Sequence, residues 1–158
     1  MNVTIRPMRD DELDVRLPQM QADYVAAMIE EGGFAADVAE AKAAADTAAL
    51  FPQGRPTPDQ AVFVIEEGGE PVGRLWIAER PETLHRGALW VLELHIDEPH
   101  RGRGYGRAAM LYAEQEAVRR GLDRIALSVF AANDAARSLY LALGYRENAV
   151  LMGKTLTP

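Results

Sequence analysis

The sequence predicts an α/β fold built on a mixed sheet, and three observations carry that prediction. Short apolar runs at residues 61–66, 71–78 and 88–96, separated by turn residues, read as an antiparallel meander of three strands. A glycine-rich turn, Arg101-Gly102-Arg103-Gly104-Tyr105-Gly106-Arg107, then opens the most regular helical stretch, residues 105–120. A further apolar run follows at residues 124–130, and a strand reached through a crossover helix lies parallel to the strand it left, in the right-handed sense.

In chain order, residues 3–6 alternate weakly and stop at Pro7, as a short first strand does. Asp10 and Asp11 offer a cap for a helix over residues 12–31, with Pro18 near its start or at a kink, and Gly32-Gly33 ends it. Residues 34–50 are rich in Ala, Glu and Lys and predict a second helix before the proline-rich loop at 52–58. Such a charged, Ala-rich pair is a solvated surface layer or the wall of a substrate cleft. Glu67-Gly68-Gly69-Glu70 makes a tight hairpin, and a looser turn over residues 79–87 leads to the third strand of the meander. In the crossover helix, Ala108, Ala109, Leu111, Tyr112, Gln115 and Val118 fall on a 3.6-residue period, and Arg119-Arg120-Gly121 supplies a cationic last turn and a stop. Asn133-Asp134 caps a short helix through Leu143, Gly144 ends it in the left-handed region, and residues 145–156 predict the last strand.

The 158 residues suffice for one domain, residues 1–158, with a real core. Seventeen Lys and Arg against 24 Asp and Glu leave a net charge of −7, which argues against nonspecific binding to nucleic acid or to an anionic membrane. No cysteine is present, so disulfides, thiolate catalysis and Cys-ligated zinc are excluded. The three histidines, His85, His95 and His100, show no metal-binding spacing, so no metal is expected. No signal-peptide pattern and no run of 18 apolar residues is found, so the expectation is a cytoplasmic protein.

The glycine turn carries the chemistry. Three glycines at alternate positions leave the backbone bare where a strand yields to a helix, so successive N–H groups can converge on an anion at the helix N-terminus. Arg101, Arg103 and Arg107 add local cations to an otherwise acidic chain, or point to solvent. Glu93 and His95 stand at i and i+2 of one strand and share a face opposite Leu92, Leu94 and Ile96. Either side chain is of the type that takes a proton from an amine.

Two motifs together resemble a known family. Arg101-x-x-Gly104-x-Gly106 is similar to the first signature of the GCN5-related N-acetyltransferases, and Asn133-x-x-Ala136-x-x-Leu139-Tyr140-x-x-x-Gly144-Tyr145 is similar to their second. The resemblance covers residues 61–156 well, while the two N-terminal helices agree only in type and order. It implies a twisted, mixed and mostly antiparallel sheet with helices on both faces. It also implies that acetyl-CoA is held where two parallel strands splay apart, for transfer to an amine acceptor.

Carried onto this chain, the backbone of Leu94, His95 and Ile96 would bond the pantetheine arm. The amides of Arg101, Gly102, Arg103, Gly104, Tyr105, Gly106 and Arg107 would hold the pyrophosphate, and Asn133 would touch the cofactor arm. Tyr140 would lie beside the sulfur and protonate the departing thiolate, with Glu93 assisting amine deprotonation. Two departures stand out: Glu98 occupies a position where many members have Pro, and Ser128 one where some protein-acetylating members have a catalytic Glu. The resemblance further implies a homodimer, with the C-terminal strands as its candidate surface. A non-catalytic acyl-CoA-binding regulatory module, or an acyltransferase using another acyl chain or acceptor, remains the competing reading.

Overall fold

The computed structural model describes residues 2–79, 87–154 and 156. Its strands are β1 Val3–Pro7, β2 Gln60–Glu67, β3 Glu70–Glu79, β4 Ala88–Ile96 and β5 Arg124–Leu127. They form one sheet in the order β1-β2-β3-β4-β5, antiparallel except for the parallel β4–β5 pair. The helices are α1 Asp10–Glu30, α2 Ala36–Leu50, α3 Tyr105–Arg119 and α4 Asp134–Ala142. The sheet is therefore mixed and mostly antiparallel, with helices on both faces.

The larger core lies under α3 and α4. Phe63 and Ile65 of β2, Leu75 and Ile77 of β3, and Leu89 and Val91 of β4 meet Ala109, Met110, Ala113 and Ala117 of α3 there. On the other face, Leu13 and Met20 of α1 close on Phe51 and Val62, while Met28 of α1 packs on Ala39 and Ala43 of α2. Alternate side chains of each strand thus serve different layers, as the two-residue period requires. The hairpin turn at Gly68 and Gly69 has φ of 59° and 91°, the doubly left-handed geometry of a type I′ turn.

Several expected boundaries move. Helix α1 begins at Asp10 because Arg9 takes the capping position, where its backbone N–H donates to Glu12 Oε2 at 2.9 Å. Asp10 and Asp11 sit in the first turn, where the helix dipole favours carboxylates. The helix continues through the position of Pro18. In α3 the buried stripe is Ala109, Ala113 and Ala117 with Met110, while Leu111 and Val118 face outward. Small residues at i, i+4 and i+8 let the helix lie close on the sheet, and the larger apolar residues of the expected stripe are left outside. Strand β5 ends at Leu127, three residues short of the expected run. Residues 145–154 and 156 form no strand; a strand needs a ladder partner, and none pairs with them among the described residues. His85 and the turn around it fall at residues 80–86, outside the described residues.

Candidate active site

The site begins with a ladder that stops. Parallel pairing of β4 with β5 runs from Ala88 opposite Arg124 to Val91 opposite Leu127. Strand β4 continues to Ile96 with no strand on that side among the described residues. The antiparallel register with β3 slips at the same place, Trp76 pairing with Glu93 and Ile77 with Val91, so Leu92 is the extra residue of a β-bulge. Leu94 and Ile96 therefore point to the α3 face, Glu93 and His95 to the α1 face, and Leu92 belongs to the slip rather than to the regular alternation. The unpaired edge of β4 leaves a slot that both faces reach.

At the end of the slot lies the glycine turn. Gly102 and Gly104 hold φ of 74° and 88°, conformations that side chains with a Cβ rarely adopt. The first internal bond of α3 is from the Ala108 N–H to the Gly104 carbonyl at 3.1 Å, so the amides of Tyr105, Gly106 and Arg107 stand ahead of the helical ladder. A Cβ on Gly106 would come within 3.2 Å of Leu139 Cδ2 and within 4.0 Å of Leu94 and Ile96 side-chain atoms. Glycine there lets α3 meet β4 and α4 closely. The open amides, the left-handed glycines and the positive helix end fit a pyrophosphate.

Two of the three arginines of this turn are engaged elsewhere. Arg101 Nε donates to the Ile96 carbonyl at 3.0 Å and fixes the strand end. Arg103 Nη2 donates to Glu67 Oε2 at 3.0 Å, and its guanidinium carbon lies 5.3 Å from the centre of the Tyr105 ring. The Tyr105 hydroxyl donates to the same Glu67 oxygen, tying the turn to the β2–β3 hairpin. Arg107 is exposed. The backbone amides, with the exposed Arg107 beside them, are therefore the turn's available anion donors.

Asn133 caps α4 as expected, its Oδ1 accepting from the Ala136 N–H at 3.1 Å. Its Nδ2 donates to Glu31 Oε2 at 3.1 Å, which joins the β5–α4 loop to the C-terminal end of α1. The join is reinforced by Phe34 and Phe130, edge to face at 6.4 Å, and by Gly32, where a Cβ would meet Phe130 at 2.7 Å. Tyr140, on the inner side of α4, is packed against the larger core with Tyr145 at 5.9 Å between ring centres. Burial pushes its hydroxyl above the ordinary tyrosine pKa, so it stays a donor through the neutral range.

The α1 face of the slot holds a charged cluster whose centre the sequence did not mark. Arg74 of β3 is only 3% exposed. Its Nε donates to Glu93 Oε2 at 2.9 Å and its Nη2 to Glu93 Oε1 at 2.7 Å, a two-bond fork. The same Nη2 donates to Asp23 Oδ2 of α1 at 2.5 Å. His95 stands beside them, Nδ1 3.8 Å from Asp23 Oδ2 and Nε2 3.5 Å from Asp97 Oδ1. Burial, then the Arg74 charge, hold the imidazole pKa below its ordinary value, against the opposing pull of Asp23, Glu93 and Asp97. Acceptor atoms of Asp23, Glu93 and His95 lie within 4.8 Å of one another, and the cation among them is the Arg74 guanidinium. A cavity of about 250 Å³ opens beside the cluster, between the first half of α1 and the sheet, with Arg74, Asp97, Asp11 and Arg16 in its wall.

Other large side chains on the α1 face of the sheet are engaged with the helical layer. Trp76 lies against Phe51 at 4.9 Å between ring centres and donates from Nε1 to Gln60 Oε1 at 2.8 Å. Met28 is fully buried, and the Tyr24 hydroxyl reaches Asp46 at 3.4 Å.

A β4 slot closed by an amide-lined turn, on a mixed sheet with this strand order, is an acetyltransferase fold. Residues 26–145 match the acetyltransferase (GNAT) family, and the chain belongs to that family. It is 29% identical over 157 residues to the uncharacterized N-acetyltransferase YycN of Bacillus subtilis, covering 99% of this chain and 100% of the relative. The crystal structure of YycN, a putative acetyltransferase, superposes with a TM-score of 0.88 at 28% identity, over 99% of this chain and 100% of that one. Acetyltransferase SG1711 of Sodalis glossinidius is 36% identical over 101 residues, 62% of this chain and 68% of that protein. The structure of AAC(6')-Iy in complex with the bisubstrate analogue CoA-S-monomethyl-acetylneamine shares the fold, with a TM-score of 0.62 at 15% identity over 100% of both chains.

Proposed function

We propose that this acetyltransferase moves the acetyl group of acetyl-CoA directly to a primary amine of a small molecule or peptide. The observation that carries the reading is the unpaired edge of β4 beyond Val91, with the glycine turn at its end and proton-handling side chains on its opposite face. The bisubstrate complex of AAC(6')-Iy, a CoA-linked acceptor on the same fold, supports it.

In this reading the cofactor supplies a thioester carbonyl activated toward amines. The amides at residues 102–107 hold its pyrophosphate, the backbone of Leu94, His95 and Ile96 orients its arm along the open edge, and Asn133 adds a side-chain contact. The Tyr140 hydroxyl gives a proton to the leaving sulfur. The amine's proton goes to the α1 face, where Glu93 and His95 stand. Transfer is taken to be direct, and the absence of cysteine excludes a thiolate-carried acyl group.

The experiment is to incubate the purified protein with acetyl-CoA and a mixed library of amines and peptides. Free thiol is followed against a control without acceptor, and products are identified by mass. Amine-dependent thiol release with a matching acetylated product is the expected result. Saturable acetyl-CoA binding without transfer across the library would replace the enzyme by a binding module.

The same reading places the protein in the cytoplasm, and among the described residues no helix is long and apolar enough to cross a membrane. It also takes the enzyme to be a homodimer, with the exposed Val150, Leu151 and Met152 as part of the contact.

A further inference from the structure

We infer that Arg74 and Asp23 are positioning residues that reserve His95 as the proton acceptor, by engaging both oxygens of Glu93 as the counter-ion of a buried guanidinium. The inference rests on the amine-acetylation reading above and assigns roles within that site.

The geometry separates two side chains that are equivalent on the strand. Both carboxylate oxygens of Glu93 accept from Arg74, at 2.9 and 2.7 Å. Protonating Glu93 would break a charge-assisted fork and leave a guanidinium that is 3% exposed without its main partner. His95 has no such obligation. Its nitrogens lie 3.8 and 3.5 Å from carboxylate oxygens, too far for good hydrogen bonds, so a ring lone pair is available. Its side chain is 25% exposed and thus within reach of a ligand. The charged groups facing it are Asp23 from α1, Arg74 from β3, Glu93 from β4 and Asp97 just beyond β4. Burial, then Arg74, disfavours the imidazolium and keeps the resting ring neutral. Once a proton arrives, Asp23 and Asp97 flank the cation.

The step balances as follows. The acceptor ammonium loses one proton to the neutral His95 ring, which later passes it to water. The freed nitrogen lone pair forms the N–C bond, and the C–S bond breaks. The second proton lost from nitrogen replaces, through solvent, the one that Tyr140 gives to sulfur. One acetylated amine, one free thiol and one released proton result.

The two positioning residues act with opposite signs, and this is the test. His95 is titrated by NMR in the ligand-free protein, its signal identified among three histidines by its loss in His95→Gln. Arg74→Gln should raise the His95 pKa and Asp23→Asn should lower it, each by about half a unit or more. With an acceptor found for the wild type, the acid limb of kcat/KM against pH should move the same way in each variant. The limb should disappear in His95→Gln, with a loss of at least about tenfold in kcat. Glu93→Gln should retain it. Shifts of the same sign in the two positioning variants, no shift, or a limb that survives His95→Gln and vanishes in Glu93→Gln would overturn the assignment. Asp23 is 27% exposed, so Asp23→Asn keeps the test decisive if Arg74→Gln does not fold. Absence of any acetylated amine would instead remove the functional reading, and the NMR titration would still report on the cluster.

Discussion

Replacing Tyr140 by phenylalanine is expected to lower kcat about a hundredfold while leaving the KM for acetyl-CoA within about twofold, because general-acid assistance contributes on the order of 10² to 10⁴. The lower end applies. A thiol ionises near pH 8.5, so the leaving group needs less help than an alkoxide or an amide nitrogen. The same argument fixes the pH dependence. Burial holds the Tyr140 hydroxyl above its ordinary pKa, so the wild type keeps its donor as pH rises, while the departing thiolate needs a proton less and less. The ratio of wild-type to variant kcat should therefore be largest near pH 7 and shrink above pH ~8.5. The substitution keeps the ring, and with it the contact to Tyr145 and the core, so the melting temperature should change little. Full turnover with an unaltered pH profile would remove Tyr140 from the reaction.

Gly73→Ala should have the largest effect on stability of any single-methyl change near the site. A Cβ there would lie 2.4 Å from the His95 carbonyl oxygen and 3.2 Å from Ile96 Cα, and both are backbone atoms that cannot swing aside. The only relief is to push β3 and β4 apart where they pair from Gly73 opposite Ile96 to Trp76 opposite Glu93. Overpacking of this kind costs about 1 to 3 kcal/mol, which for a chain of this size lowers the melting temperature by about 3 to 10 °C. The strands that move carry Arg74, Glu93 and His95, so activity should fall by more than the unfolded fraction explains. Thermal unfolding beside kcat at 25 °C separates the two effects, and a melting temperature within about 1 °C of wild type would show that the strands part freely.

What the sequence disclosed was set by local chemistry. The two hairpin glycines, the Asn133 cap, the Gly144 stop and the bare turn before α3 each state their conformation in the residue itself, because φ above zero or a capping oxygen belongs to few side chains. Arg74 and Asp23 stayed hidden because each looks ordinary in its own element. An arginine between Gly73 and Leu75 reads as the solvent face of a strand, and Asp23 as the wet side of a helix. Only the seating of α1 over β3 turns them into an ion pair, with the guanidinium buried. The Leu92 bulge is a slip of one residue, which a two-residue period cannot announce in advance. Residues 145–156 carry strand-forming side chains, yet pairing is a tertiary event that propensity does not supply.

The double use of the Asn133 amide braces α4 against the end of α1. Its oxygen is spent on α4, and its nitrogen is spent on Glu31, the residue that ends the helix contributing Asp23 to the acceptor side. The amide nitrogen carries two hydrogens, so the bond to Glu31 leaves the second free to donate to a ligand in the slot. A cofactor bound as proposed would share the amide that braces the end of α1, and any coupling this produces between the two ligands must be reciprocal. Glu31→Gln, which weakens this bond between residues 102 apart in sequence, tests the brace: unchanged affinities for both ligands would show that it serves the fold alone.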